Sequence, residues 1–238
     1  MDVVAIVRGR AGGARTGHAG TLDPLAEGVL VLALGRATKS LDRFMATAKR
    51  YRTVIDLSAF TDTDDLEGER VEVAVAEPPD EAAVRAALDA FRGRIMQRPP
   101  ARSAIKVGGR RAYAMSRRGE PVTLQPRPVE VYELDLVRYE WPLIEIAVCC
   151  GKGTYIRSLA RDLGRHLGTG GHCTSLRRTA VGPFTDDLAV PLADVPQPLG
   201  ETDLMPLDAA IGRLDDDAPP ERTAYEPGGP RMSQEDRV

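Results

Sequence analysis

The chain has 238 residues, 42% of them hydrophobic, which allows one large domain or one domain with an appendage. Aromatic residues make up only 5%, so aliphatic side chains must fill the core. The net charge of −3 argues against a uniformly basic nucleic-acid binder, and no apolar run approaches the length that spans a bilayer. Residues 1 to 8 hold too short an apolar run for a signal peptide and show no cleavage site, so a cytoplasmic protein is expected. Cys149, Cys150 and Cys173 lack metal-ligand spacing and read as buried reduced thiols. The three histidines are scattered and suggest no metal site.

Residues 3 to 10 suit a helix. Gly17-His18-Ala19-Gly20-Thr21-Leu22-Asp23-Pro24-Leu25-Ala26-Glu27-Gly28 follows, with three glycines and a proline in twelve residues, so a shaped loop is expected there. Val29 to Leu34 is a continuous apolar run bounded by glycines and reads as a buried strand. Ala37, Leu41, Phe44, Met45 and Ala48 recur at helical spacing, which predicts an amphipathic helix over 37–48. From Tyr51 the period becomes two. Tyr51, Thr53, Ile55 and Leu57 would share the core face of a strand.

An acidic loop, Thr61 to Gly68, comes next. Its Leu66 and Glu67 stand where a calcium loop needs a ligand and a glycine, so calcium is rejected. Val71, Val73 and Val75 suggest a returning strand. Asp80 is placed to cap a helix whose buried stripe is Val84, Leu88 and Phe91.

Between Arg92 and Arg127 the cations are Arg92, Arg94, Arg98, Arg102, Lys106, Arg110, Arg111, Arg117, Arg118 and Arg127, opposed only by Glu120. This reads as a basic arm, and the acidic residues after Glu201 offset its charge in the total. Strands are expected at 129–139, 143–150 and 173–181. A helix follows Gly153, with Thr154 as N-cap, a stripe of Ile156, Leu159, Ala160, Leu163 and Leu167, and Gly168 at its end. Beyond about 195 the chain turns acidic and proline-rich, and its last twenty or so residues are expected to be disordered.

Some residues invite a chemical reading. Asp23 lies between apolar neighbours, and Pro24 biases it toward an extended backbone, which suits a carboxylate presented at one angle. Most Asp-Pro pairs are simply turns, and that reading stays open. Arg157 falls in the first turn of its helix, where a cation meets the positive end of the helix dipole unless a carboxylate pairs with it. Alternatively, Arg157, Arg161 and Arg165, spaced by four, form one solvated stripe. Tyr51 reads as core or rim packing, His18 as a surface histidine and Leu176 as core.

Gly17 to Gly28 with Leu34-Gly35-Arg36-Ala37-Thr38-Lys39, Lys49-Arg50-Tyr51, Arg94 to Lys106, Gly151 to Arg157 and Ser175 to Arg178 together resemble, in order, the motifs of TruB-type tRNA pseudouridine synthases. The resemblance covers roughly residues 3 to 195. The chain begins after the strand and Asp-Lys-Pro-x-Gly turn with which that family opens. It also has no room for the extra C-terminal RNA-binding domain of some members. Arg102 stands where the family has tyrosine.

The resemblance implies an α+β fold with a mixed, largely antiparallel central sheet flanked by helices, an RNA-binding cleft and a thumb-like arm at about 92–127. It implies a catalytic domain over 1–195 and an acidic tail over 196–238. Asp23, Arg157 and Tyr51 would be catalytic, with Arg157 pairing Asp23. His18, Tyr51, Tyr155 and Leu176 would bind substrate, Tyr51 by stacking on the base and His18 by bracing the opened RNA. Arg110, Arg111, Arg117 and Arg118 would hold phosphates. The implied reaction converts a uridine in the tRNA T loop, at position 55, to pseudouridine, in a monomer with no cofactor, metal or membrane. Two alternatives stand beside it: a non-catalytic RNA-binding or RNA-folding module, and a glycosidase, which would need a second carboxylate beside Asp23.

Overall fold

The computed structural model describes residues 2–103, 105–107, 110–111 and 124–217. The chain divides into two compact units, Met1–Tyr51 with Arg177–Pro220, and Arg52–Leu176.

The first unit opens with α1 (Val3–Arg10), capped where Asp2 Oδ1 accepts from the Ala5 amide at 3.1 Å. β1 (Thr16–His18) pairs antiparallel with β3 (Leu32–Leu34). The apolar run 29–34 is therefore not one strand. Val29 is instead hydrogen-bonded to Arg178, directly after the short β2 (Ala26–Gly28), which pairs with β12 (His172–Val181). Apolar content drives burial equally well with or without a ladder, so the run could not mark the break. The helix expected over 37–48 is shorter, a 3-10 stretch Gly35–Ser40 followed by α2 (Leu41–Ala46).

β4 (Lys49–Asp56) and β12 have residues in both units. β13 (Phe184–Thr185) pairs antiparallel with Ala180 and Val181. The core of this unit joins Ala19, Phe44, Phe184 and Ala210, with Leu41, Leu207 and Ile211 around them. The rings of Phe44 and Phe184 lie 5.7 Å apart. Ala210, Leu207 and Ile211 belong to α5 (Leu207–Asp216), an ordered helix beyond residue 195. The disorder expected for the last twenty residues concerns positions outside the described residues.

The second unit holds a sheet in the order β7–β10–β11–β4–β12, through residues 52–56 of β4 and 172–176 of β12. β10 (Arg127–Glu140) pairs antiparallel with β11 (Leu143–Cys150) on one side and with β7 (Gly93–Gln97) on the other. β7 corrects the arm expected from residue 92. Gly93, Ile95 and Gln97 alternate inward while Arg94 and Met96 face out, so the first stretch of the basic segment is sheet. β8 (Lys106–Val107) and β9 (Arg110–Arg111) form a separate two-stranded ribbon.

β5 (Ala59–Thr61) pairs with β6 (Arg70–Glu72), which is shorter than the predicted strand and exposed on both faces. α3 (Glu81–Asp89) is capped as expected, Asp80 Oδ1 accepting from the Ala83 amide at 2.7 Å, and buries Val84, Ala87 and Leu88. α4 (Ile156–Leu167) ends on Gly168, whose φ of 70° only glycine adopts freely, with its amide turned back to Arg165 and Gly164. Its N-cap is Tyr155, not Thr154. The Thr154 hydroxyl donates backward to the Gly151 carbonyl at 3.0 Å and closes the preceding turn. No helix among the described residues is long and apolar enough to cross a membrane.

Candidate active site

In the first unit, Asp23 opens a tight turn, its carbonyl accepting from the Ala26 amide at 2.9 Å across Pro24 and Leu25. Asp at the first turn position and Pro at the second are what such a turn favours. The turn reading of Asp23 is therefore satisfied, and the residue is half-buried.

The loop is tied at both ends to one residue, Arg178 of β12, which is 2% exposed. Its Nε donates to the Val29 carbonyl at 2.8 Å, Nη2 to Gly20 at 3.2 Å and Nη1 to Thr21 at 3.4 Å. The Val29 amide returns a bond to the Arg178 carbonyl at 2.8 Å. Gly28 has φ 97°, and a Cβ there would stand 2.2 Å from the Arg178 carbonyl oxygen, so the close approach of β2 to β12 requires glycine. Nearby on the surface, Arg177 bridges Glu27 at 3.0 Å and Asp186 at 3.3 Å.

His18 lies on β1, half-buried, with its Nδ1 enclosed and unpartnered among the described residues. Tyr51 is half-buried on β4, as a rim residue would be. An apolar groove of about 710 Å³ also opens in this unit, lined by Val7, Leu32, Phe44, Met205 and Leu207; Asp23 does not line it.

In the second unit, Arg157 is the second residue of α4 and is 3% exposed. Its Nη1 donates to Asp65 Oδ2 at 3.0 Å and to the Thr63 carbonyl at 3.1 Å, and its Nη2 donates to the Arg102 carbonyl at 3.0 Å. Asp65 is itself held by the Thr63 hydroxyl at 2.5 Å and the Glu67 amide at 3.0 Å. A buried carboxylate thus answers the unfavourable helix-end position of this cation.

One turn on, Arg161 pairs with Asp64 at 2.8 Å and Asp162 at 2.9 Å and donates to the Arg98 carbonyl at 2.8 Å. Its side chain is 12% exposed, so the solvated-stripe reading fails for Arg157 and Arg161. Burial alone would lower the Arg161 pKa, but the flanking carboxylates outweigh it and hold the guanidinium protonated. At Asp64 the balance runs the other way. Burial dominates the attraction of Arg161 and raises the carboxyl pKa to about 6. Cys173, also in this core, is pushed up to about 12 by burial and is inert as a nucleophile.

Tyr155 is clamped by Gln97, whose side-chain amide accepts from the Tyr155 amide at 2.8 Å and donates to its carbonyl at 3.0 Å. The Arg127 guanidinium lies over the Tyr155 ring at 5.4 Å and donates to the Gly153 carbonyl at 2.9 Å. Leu176, on β12, is 5% exposed. Arg110 and Arg111 form β9, whereas Arg117 and Arg118 lie outside the described residues.

The structure therefore gathers Arg157, Tyr155, Asp64 and Asp65 in one unit, and the Asp23 loop and His18 in the other. Sequence reasoning missed Arg178, Gln97, Asp64 and Asp65 as supports. Of these only Gln97 carried a usable signal, as the inward polar residue of an alternating strand.

Residues 8–156 match the TruB family pseudouridylate synthase (N terminal domain), and residues 157–212 match the tRNA pseudouridylate synthase B C-terminal domain. Relatives named tRNA pseudouridine synthase B include one from Thermobifida fusca, 48% identical over 88% of this chain and 73% of its own length. Another, from Arthrobacter sp., is 50% identical over 83% of this chain and 67% of its own. A third, from Paracoccus denitrificans, is 46% identical over 97% and 76%. Among solved structures, a chain of a Cbf5-Nop10-Gar1 complex aligns with TM-score 0.68 and 28% identity, over 89% of this chain and 57% of that one. A chain of an H/ACA RNP bound to a substrate RNA containing 2'-deoxyuridine aligns with TM-score 0.60 and 25% identity, over 90% and 50%.

The fold and these matches define a pseudouridylate synthase. The chain belongs to the TruB family, whose members isomerise uridine to pseudouridine in tRNA. It spans between about half and three quarters of the length of the relatives it matches.

Proposed function

We propose that this chain converts uridine 55 in the T loop of tRNA to pseudouridine, with Asp23 as the group that acts first. The observation that carries the reading is the fixed presentation of Asp23 at a proline turn whose flanks are tied to a buried arginine. Asp23 acts on the sugar or on the base, the N1–C1′ bond breaks, the uracil turns, and C5 joins C1′. The C5 proton leaves and N1 gains one, so the atoms balance and no external reductant is needed.

Arg157 serves as a catalytic cation, its own orientation preset by Asp65. The Tyr51 ring stacks on the extruded base, Tyr155 and Leu176 line the base site, and His18 braces the opened T loop. The arginines of the arm, Arg110, Arg111, Arg117 and Arg118, position the phosphates. The domain assignment follows: catalysis in 1–195 and an acidic segment beyond it. The protein acts as a cytoplasmic monomer on the T arm.

The test is incubation of a tRNA transcript with wild-type protein and with Asp23→Asn, followed by mapping of pseudouridine. Conversion at position 55 by the wild type alone is expected, with tRNA affinity retained in the variant. Binding without conversion by the wild type would favour the RNA-folding alternative. Turnover by Asp23→Asn would remove Asp23 from the chemistry.

A further inference from the structure

Arg178 is a cation in an unusual setting. It is almost wholly buried, yet among the described residues no carboxylate pairs with it. All its side-chain bonds go to backbone carbonyls, those of Gly20 and Thr21 just before Asp23 and that of Val29 beyond Gly28. Burying an unpaired charge is costly, and an apolar side chain of similar volume would serve a core better. What the guanidinium offers is a rigid fork of donors that reaches several carbonyls at once.

The carbonyls it reaches bracket the segment that carries Asp23. The Gly20 backbone, at φ 111°, turns there with its Cβ position 3.6 Å from Arg178 Nη1. The Val29 amide fastens the far end to the Arg178 main chain. Both ends of the loop are thus referred to one residue of β12.

We propose that Arg178 is a positioning residue, which sets the angle at which Asp23 is presented by holding both ends of its loop. The inference rests on Asp23 being the reacting carboxylate. Lysine keeps the charge but gives a single point donor on a stem that cannot bridge both ends. Methionine keeps volume and removes the charge, so folding is retained while the clamp is lost.

The experiment compares Arg178→Lys, Arg178→Met and Asp23→Asn with wild type, in single-turnover and steady-state assays on tRNA transcript, with tRNA affinity and thermal melting measured on the same preparations. The expected result for both Arg178 variants is a fall in kcat of about 100-fold, the scale of a small misplacement of a reacting group, with KM and tRNA affinity unchanged within about threefold. Wild-type kcat in a folded Arg178→Lys or Arg178→Met, with Asp23→Asn inactive, would overturn the positioning role and leave the Asp23 assignment standing. Failure of both Arg178 variants to fold would also overturn it, by showing the clamp to be architectural. An active Asp23→Asn would instead refute the underlying assignment.

Discussion

The Arg161 guanidinium meets the Asp64 carboxylate at 2.8 Å, and both side chains are nearly withdrawn from water. Asp64 also has φ 62°, in the left-handed region that Asp and Asn adopt more readily than most residues. Because burial raises its pKa from 3.8 to about 6, the folded state holds a proton that the unfolded chain releases between those values. The associated stability is fully present below about pH 4 and is lost as pH rises through 6. Asn tolerates the same backbone region and mimics the protonated acid, so Asp64→Asn should fold. Relative to that variant, wild type should gain up to about 3 kcal/mol as pH falls from 7 to 4. Urea titrations at several pH values check this; parallel curves for the two proteins would contradict it.

Arg157 and Asp65 form the more deeply buried pair, each side chain 3% exposed. Asp65→Ala removes the buried carboxylate that Arg157 Nη1 meets at 3.0 Å and should cost about 3–5 kcal/mol, read as a lowered urea midpoint. Arg157→Lys keeps the charge and loses the fork that serves Asp65, Thr63 and Arg102 together. It should reduce pseudouridine formation more than it reduces stability. Equal losses in both would mean that Arg157 is only a structural ion.

Gly28→Ala tests the approach of β2 to β12. The added methyl would lie 2.2 Å from the Arg178 carbonyl oxygen at a φ that L-residues avoid, so the ladder must open. A loss of at least about 2 kcal/mol is expected, with a larger loss in kcat because the loop after Asp23 shifts. A melting temperature equal to wild type would show that the strand yields without cost.

The arm is tested by salt. If Arg110, Arg111, Arg117 and Arg118 meet phosphates, tRNA affinity should fall steeply with ionic strength. Replacing all four with alanine should flatten the log–log slope by roughly 3 to 4. An unchanged slope would make these arginines a solvated surface.

Features settled within a few residues were legible in the sequence. The Asp80 cap, the Gly168 terminus, the buried stripe of α4 and the alternation from Thr53 to Leu57 depend on local backbone preference and on side-chain period. The Asp23 turn was equally local, since proline fixes its own neighbour. The motifs around Asp23, Tyr51 and Arg157 were long enough to point to the family that the comparisons confirm.

What the sequence could not supply was who faces whom. Arg161 looked like one member of an i, i+4 basic stripe until folding brought Asp64, 97 residues away, to its guanidinium. Asp65 reaches Arg157 across 92 residues. The acidic loop 61–68 read only as a loop without calcium spacing, although Thr63, Asp64 and Asp65 are buried. Arg178 looked like one of two adjacent arginines, and only the return of β12 beside β2 made it the anchor of residues 20–29, some 150 positions earlier. A charge pair or a buried donor has no local signature. Its partner is chosen by chain topology, and low dielectric then makes the pairing matter, so these contacts belong to the tertiary structure alone.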